Sequence, residues 1–349
     1  MSNFLNQFNK ILKKILYIPM ILVLKIIPNR FYKYIEIFFE KLRVFTKKYS
    51  YNFDREVNLK IKPITFNLFI RKGNEQGHSV YSSMSDNKNI YELAIITCLN
   101  SIVRFNNNII FADLGSFVGF YAIYASKLLG NSNKVHAIES NNLYCEDIKK
   151  AINLNNLNNI EVHHSILSDK IEEQIYYREF SINKEELIPE NFNNKKIYEN
   201  YKKFGKIQKT ETFDNLVKKF DKYPNLLKID VHGAEGKIIK GSLGVLKNYV
   251  KIILLELHTE EYLDLYSPGC KRKDVINNII DCDFKCYLIS PFRDLDNSGF
   301  DDKFLEGRKK LSYREITKNN CEDILYGREI DIFVLSIKKD LDIRSLDCF

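Results

Sequence analysis

The stretch FADLGSFVGFYAIYASKLLG, Phe111–Gly130, runs from an apolar segment through two glycines into a helical pattern. Its chemistry-bearing residues are Asp113, Gly115, Ser116, Phe117 and Gly119. Glycines permit a tight turn and let a ligand approach the backbone, and the amides at the start of the following helix attract an anion. The spacing is not GxGxxG. A carboxylate ahead of the first glycine repels a pyrophosphate but attracts an ammonium group. A ligand ending in an amino acid therefore suits this turn, with its ammonium on Asp113 and its carboxylate on the helix-start amides. The plain alternative is an aspartate that only caps the turn.

Beyond Gly119, KVHAIES reads as the next strand and ends in Glu139, followed by Ser140. A carboxylate there is placed to accept both hydroxyls of a ribose, as in dinucleotide folds, or is simply an exposed acid at a strand end. Ammonium, carboxylate and ribose together point to S-adenosylmethionine. The next strand candidate, in IEVHHSILSDK, carries His164, Ser165 and Ile166 to a turn that would flank the adenine. His163 and His164 are adjacent on a strand and point to opposite faces, so this pair is assigned no metal.

A second set of candidates ends the two following apolar runs, LLKIDVHGAE and IILLELH: Asp230, His232, Glu256 and His258. Neighbouring strand ends converge at one edge of a sheet, so these four can surround a reacting centre. Asp230, His232 or His258 could accept the proton of an alcohol. The same four donors suit a divalent ion. The metal-free reading is preferred, because an alcohol that is positioned and deprotonated needs no Lewis acid.

Positioning these residues requires parallel strands. IIFADLG, KVHAIES, IEVHHSIL, LLKIDVHG, VKIILLELH, KCYLIS and DIFVLSI alternate with helical or polar stretches, which predicts an α/β fold with a doubly wound, mainly parallel sheet. Ahead of it, residues 51–108 form a lead-in in which IKPITFNLFIRKG reads as strand, NEQGHSVYSSMSDNK as loop and NIYELAIITCLNSIVRF as helix. Thr212 or Asp214 in TETFDNL is expected to cap a helix. Residues 170–209 read as a polar, solvated insertion.

Residues 1–50 read as a basic, amphipathic helical extension. The apolar run Ile15–Leu24 contains Pro19 and is too short to span a bilayer, and no small-residue cleavage site follows it, so no export is expected. Phe31, Tyr34, Ile35, Phe38 and Leu42 form a helical stripe. It fits either a peripheral membrane contact through residues 11–46 or a helix docked on the rest of the chain or a partner.

The 349-residue chain has 45% hydrophobic and 28% charged residues, ordinary for a globular protein. Its net charge of +8 is spread through a Lys- and Asn-rich sequence, so it does not argue for nucleic acid. Seven cysteines without a CxxC pair suit reduced thiols and a cytoplasmic setting, with or without contact at the inner face of a membrane.

FADLGSFVGFYA, HAIESN, NLNNIEVHHSILSDK, TETFDNL, LLKIDVHGAEGKIIKG and IILLELH, in this order, resemble the FkbM family of S-adenosylmethionine-dependent methyltransferases. The resemblance covers about Asn89–His258 well, Asp281–Lys338 weakly and the first eighty residues not at all. It implies a class I, Rossmann-like methyltransferase domain over 109–349, seven-stranded with DIFVLSI as an antiparallel last strand. It further implies O-methylation of a sugar, glycan or other small-molecule acceptor. Tyr91 and Glu92 also match a family feature. Two positions depart from the pattern: Phe117 stands where many relatives have Asn, and His232 where many have Glu. The rival readings are an RNA methyltransferase, though the fourth strand lacks an Asn/Asp-Pro-Pro-aromatic turn, and a non-catalytic, membrane-associated protein of the same fold.

Overall fold

The computed structural model describes residues 51, 53–87, 90–106, 108–178, 186–188, 206–290, 309–326, 328 and 330–349. The N-terminal extension with its proposed membrane contact, most of the 170–209 insertion and residues 291–308 lie outside the described residues.

The chain enters through a hairpin, β1 (Arg55–Ile61) and β2 (Ile64–Ile70), joined at Lys62-Pro63. Alternate residues of both strands are buried: Val57, Leu59 and Ile61 face Phe66, Leu68 and Ile70 on the core side. Two helices follow, α1 (Glu75–Asn87) and α2 (Leu93–Phe105). Helix α1 occupies the stretch expected to be loop. Its serine-rich composition hides a short apolar face of Val80, Tyr81 and Met84, which packs on the core and holds the helix there. Helix α2 is buried from Leu93 to Ile102, as its unbroken apolar run requires.

The central sheet then builds strand by strand: β3 (Ile110–Leu114), β4 (Lys134–Glu139) and β5 (Ile160–His164), with α3 (Phe120–Leu129) and α4 (Asn142–Leu154) as crossovers. Short strands β6 (Ile166–Leu167), β7 (Gln174–Arg178), β8 (Glu186–Ile188) and β9 (Lys206–Glu211) make a separate four-stranded sheet in the order β6-β9-β7-β8. After α5 (Phe213–Leu216) come β10 (Leu226–Ile229), α6 (Glu235–Lys240), α7 (Leu243–Asn248), β11 (Ile252–Leu257), α8 (Glu260–Tyr266) and α9 (Arg272–Ile280). The chain closes with β12 (Phe284–Ser290), β13 (Ser312–Ile316), α10 (Cys321–Leu325) and β14 (Ile332–Lys338).

The main sheet has eight strands in the order β13-β12-β14-β11-β10-β3-β4-β5. From β5 to β11 all neighbours are parallel, and β14 runs antiparallel to β11 and to β12. The antiparallel DIFVLSI strand is therefore where the sequence puts it. The expected count of seven is corrected to eight by β13, a mostly exposed strand held by pairing with β12.

Two apolar layers sandwich this sheet. One carries the hairpin and α1 to α4 over Phe111, Leu226, Leu254 and Phe333. The other carries the later helices over Ala112, Leu227, Ile253 and Val334. Strands buried on both faces explain the near-continuous apolar runs of the sequence. Thr212 accepts from the Asn215 amide and caps α5, while the Asp214 carboxylate reaches across to the Gly244 and Val245 amides at 2.8 and 2.7 Å. All seven cysteines are buried and free.

Candidate active site

The glycine turn leaves β3 at Asp113 and Leu114. Gly115 has φ +83°, and a Cβ built on it would lie 1.9 Å from the Asp230 carbonyl oxygen. Only glycine lets the two strand ends pass so closely. The Gly115 and Ser116 amides donate to the Ile138 carbonyl at 3.0 and 3.1 Å, and the Ser116 hydroxyl donates to the Asp113 carbonyl at 2.8 Å. Gly119, at φ +84°, starts α3. Phe117 also sits at positive φ, +50°, a conformation that Asn tolerates better than Phe. Its ring meets Tyr144 edge-on at 4.6 Å, so this position contributes packing to the turn.

The Phe117 amide donates to Glu139 Oε2 at 2.7 Å, which ties the turn to the end of β4. Glu139 Oε1 accepts from the Asn141 amide at 2.9 Å and the Ser140 hydroxyl at 3.2 Å. Burial pushes the Glu139 carboxyl up to about 7, against these hydrogen bonds. Beside it, the Ser165 amide donates to the Glu139 carbonyl at 3.0 Å and His164 Nε2 lies 2.8 Å from the Ser140 carbonyl. Ile166 is buried one residue further on. The sequence-predicted donor residues Asp113, Gly115, Ser116, Phe117 and Gly119 thus form one turn, with Glu139, Ser140, Ser165 and Ile166 on the strand ends beside it.

On the same sheet face, register places Lys228 of β10 next to Asp113 of β3. Two residues along, Asp230 follows on that face, and Glu256 stands on β11 beyond it. Lys228 is buried, with Nζ 2.9 Å from Asp230 Oδ2 and 4.4 Å from the centre of the Tyr121 ring. Burial works against its charge, but Asp230, Asp113, Glu92 and Glu256 outweigh burial and raise its pKa. Burial pushes Asp113 up to about 6 against the pull of Lys228, and neither carboxylate oxygen has a hydrogen-bond partner among the described residues. Asp230 is also desolvated, yet Lys228, His232 and His258 hold its carboxyl well below the usual range. Glu92 accepts the Tyr121 hydroxyl at 2.5 Å, which brings the residue before α2 to this centre.

His258, just past β11, is nearly enclosed. Its Nδ1 lies 2.6 Å from Glu235 Oε1, while Nε2 faces Asp230 Oδ1 at 3.8 Å. Burial lowers the pKa of His258, but the Glu235 hydrogen bond and charge outweigh burial and raise it above the ordinary histidine value. His232 stands at the mouth with 62% of its side chain exposed, its Nδ1 3.6 Å from the same Asp230 oxygen. Arg272 braces this corner from within the core: its guanidinium donates to the carbonyls of Leu257, His258, Arg328 and Ile330. The four predicted catalytic residues are therefore together. At this corner, among the described residues, three donor sets are compact enough for an ion: Asp230, His232 and His258; Glu256, His258 and Asp331; and Glu92, Asp230 and Glu256.

Sequence reasoning missed Glu235, Lys228 and Arg272. Glu235 had a signal, its place in KIDVHGAE directly after the strand, whereas Lys228 looks like any strand residue until its carboxylate neighbours are known. Arg272 lies in an ordinary helix start.

The model of the FkbM methyltransferase domain matches residues 105–286, more than half of the chain. The chain belongs to the FkbM methyltransferase family. Among solved structures, it is similar to methyltransferase FkbM from Methylobacillus flagellatus KT, at 13% identity and a TM-score of 0.37, covering 66% of this chain and 44% of that one. The chain thus spans less than half the length of that relative. It is also similar to the O-methyltransferase TomG from Streptomyces achromogenes, at 10% identity, a TM-score of 0.36 and coverage of 75% and 86%. A third match, fibrillarin from Aeropyrum pernix, has 10% identity, a TM-score of 0.33 and coverage of 66% of each chain. No curated protein matches.

The residues of this site fit S-adenosylmethionine, the cofactor that the family resemblance implies. Asp113 offers two buried, unpartnered oxygens to an ammonium. The Gly115 to Gly119 turn leaves backbone open to close approach, and Glu139, a four-site acceptor already holding three donors, retains capacity for a hydroxyl.

Proposed function

We propose that the chain methylates a hydroxyl oxygen of a sugar, glycan or other small-molecule acceptor, with His258 as general base. The observation that carries this reading is the Glu235–His258–Asp230 alignment. A carboxylate that accepts from Nδ1–H fixes the tautomer and leaves the Nε2 lone pair on the side of Asp230. S-adenosylmethionine supplies a methyl group on a sulfonium, open to displacement by an oxygen nucleophile. Asp113 would hold the ammonium end, Glu139 the ribose, and His258 would take the hydroxyl proton at Nε2. Asp230, kept ionised by Lys228, favours the imidazolium that results. His232, exposed at the mouth, is placed to meet the acceptor.

Orientation is the larger contribution. Alignment supplies effective molarities of about 10⁵–10⁸ M, whereas a general base adds about 10²–10⁴-fold. Removing the base should therefore slow turnover and spare cofactor binding. The test is production of S-adenosylhomocysteine across a panel of sugar and glycan acceptors, wild type beside His258→Ala, with cofactor binding followed by calorimetry. Turnover on hydroxyl acceptors that falls in the variant supports the reading. Turnover confined to nitrogen or carbon acceptors, or undiminished in His258→Ala, overturns it.

A further inference from the structure

On the opposite face of the sheet, away from the glycine turn, three donor atoms converge between β4 and the edge strand β5. His136 Nδ1 lies 3.1 Å from His163 Nε2 and 3.6 Å from Glu161 Oε2, and His163 Nε2 lies 3.8 Å from the same oxygen. The backbone dictates this meeting. Glu161 and His163 are two apart on one strand and so share a face, and His136 is the register partner of Glu161. His163 thus turns away from its neighbour His164 and toward a histidine on the adjacent strand.

The geometry points to a binding site for one late first-row divalent cation, of the zinc class, held by His136, His163 and Glu161. Bonds of about 2.0–2.2 Å to a tetrahedral ion set donor atoms about 3.3–3.6 Å apart, close to the three separations here. Two imidazoles and a carboxylate suit zinc, nickel or copper(II), not calcium or magnesium.

The surroundings prepare the donors. Phe220 stacks on His136 at 3.9 Å with the rings 6° from parallel, and its centroid is 4.5 Å from His163, which limits rotation of both imidazoles. Lys134 pairs with Glu161 Oε1 and leaves Oε2 toward the histidines. Without a cation, one shared proton between the rings satisfies one contact and leaves the carboxylate oxygen facing nitrogen. The side chains of His163 and Glu161 are 20% and 40% exposed, an entry path that also leaves a coordination position to water.

Such an ion would staple the edge strand to its neighbour. The strands it joins end in Glu139 and in His164, so the staple would steady the ribose and adenine side of the cofactor site from beneath.

The test uses the full chain, stripped with chelator and titrated with zinc sulfate or nickel chloride by calorimetry, with thermal melts alongside. The wild type should bind one equivalent that His163→Ala and Glu161→Gln lose, and metal should raise the melting temperature of the wild type more than that of either variant. His232→Ala, which breaks a donor set in the active site, should retain that equivalent. The proposal is overturned if the wild type binds no metal, if both variants bind as many ions as tightly, or if His232→Ala is the variant that loses the equivalent. Glu161 is the most exposed of the three, so Glu161→Gln keeps the test valid should His163→Ala fail to fold.

Discussion

Arg272 Nε donates to the carbonyl oxygen of His258 at 2.6 Å, although the two residues come from different elements and only His258 faces Asp230 and Glu235. The same guanidinium also holds Leu257, Arg328 and Ile330, so one buried side chain fixes the path of the backbone that presents the proposed general base. Replacing Arg272 with Met leaves these carbonyls without their donor, at a cost of about 1–3 kcal/mol for each that water cannot reach. Denaturant unfolding of Arg272→Met should show a loss of more than about 3 kcal/mol. A loss under about 1 kcal/mol would mean that the carbonyls find other partners.

In the proposed mechanism Glu235 acts through His258, and its removal has a signature that simple destabilisation lacks. In Glu235→Gln the pKa of His258 should fall, because the partner that raises it loses its charge. A base must be neutral to work, so wild-type turnover should rise with pH through the raised pKa of His258. The variant's profile should shift to lower pH with a reduced plateau. Identical pH midpoints in the two enzymes would remove Glu235 from the mechanism.

Cofactor binding should release protons. Burial pushes Asp113 up to about 6 and Glu139 up to about 7 in the free protein, whereas an ammonium on one and a hydroxyl on the other favour the ionised forms. Both pKa values then fall on binding, so affinity strengthens as pH rises from about 5 to about 7 and levels off above. Calorimetry at pH 6 in buffers of different ionisation heat should detect release on the order of one proton, declining toward pH 8. Glu139→Gln should lose part of that release and much of the affinity. Affinity independent of pH over this range would contradict the assignment.

Gly115→Ala tests the contact between strand ends. A methyl group there meets the Asp230 carbonyl at 1.9 Å, and the left-handed backbone adds about 1–2 kcal/mol of its own. The variant should lose stability, and in whatever fraction folds, cofactor binding and turnover should fall together. Gly130→Ala is the control: its positive φ strains it too, but nothing lies within 4 Å of the new methyl. Equal damage from both would show that backbone strain alone, and not the approach of Asp230, accounts for the loss.

Much of this site was readable from the chain because strands buried on both faces print themselves as apolar runs, and polar residues that end such runs stand out. Asp113, Glu139, Asp230 and His258 all announce themselves in that way. Helix α1 and strand β13 do not, for a shared physical reason: each is polar over most of its length and owes its form to what it packs against or pairs with. Lys228 was illegible because its importance lies in carboxylates contributed by β3, β11 and the segment before α2, a proximity that no local pattern encodes. The conformation at Phe117 and His232 was equally hidden. The departures from the family pattern were visible, but that both fall at positive φ was not, and such positions restrict which side chains the turn accepts.

Strand β13 carries a further implication. Among the described residues it is the outermost strand of the sheet, and Ser312, Tyr313, Arg314 and Glu315 are exposed along it. A sheet that ended at β12 would present the apolar residues of that strand and a row of unpaired amides and carbonyls, a template for another molecule's backbone. Ending, among the described residues, on a short strand with exposed Arg314 and Glu315 on its two faces suits a border that resists edge-to-edge aggregation.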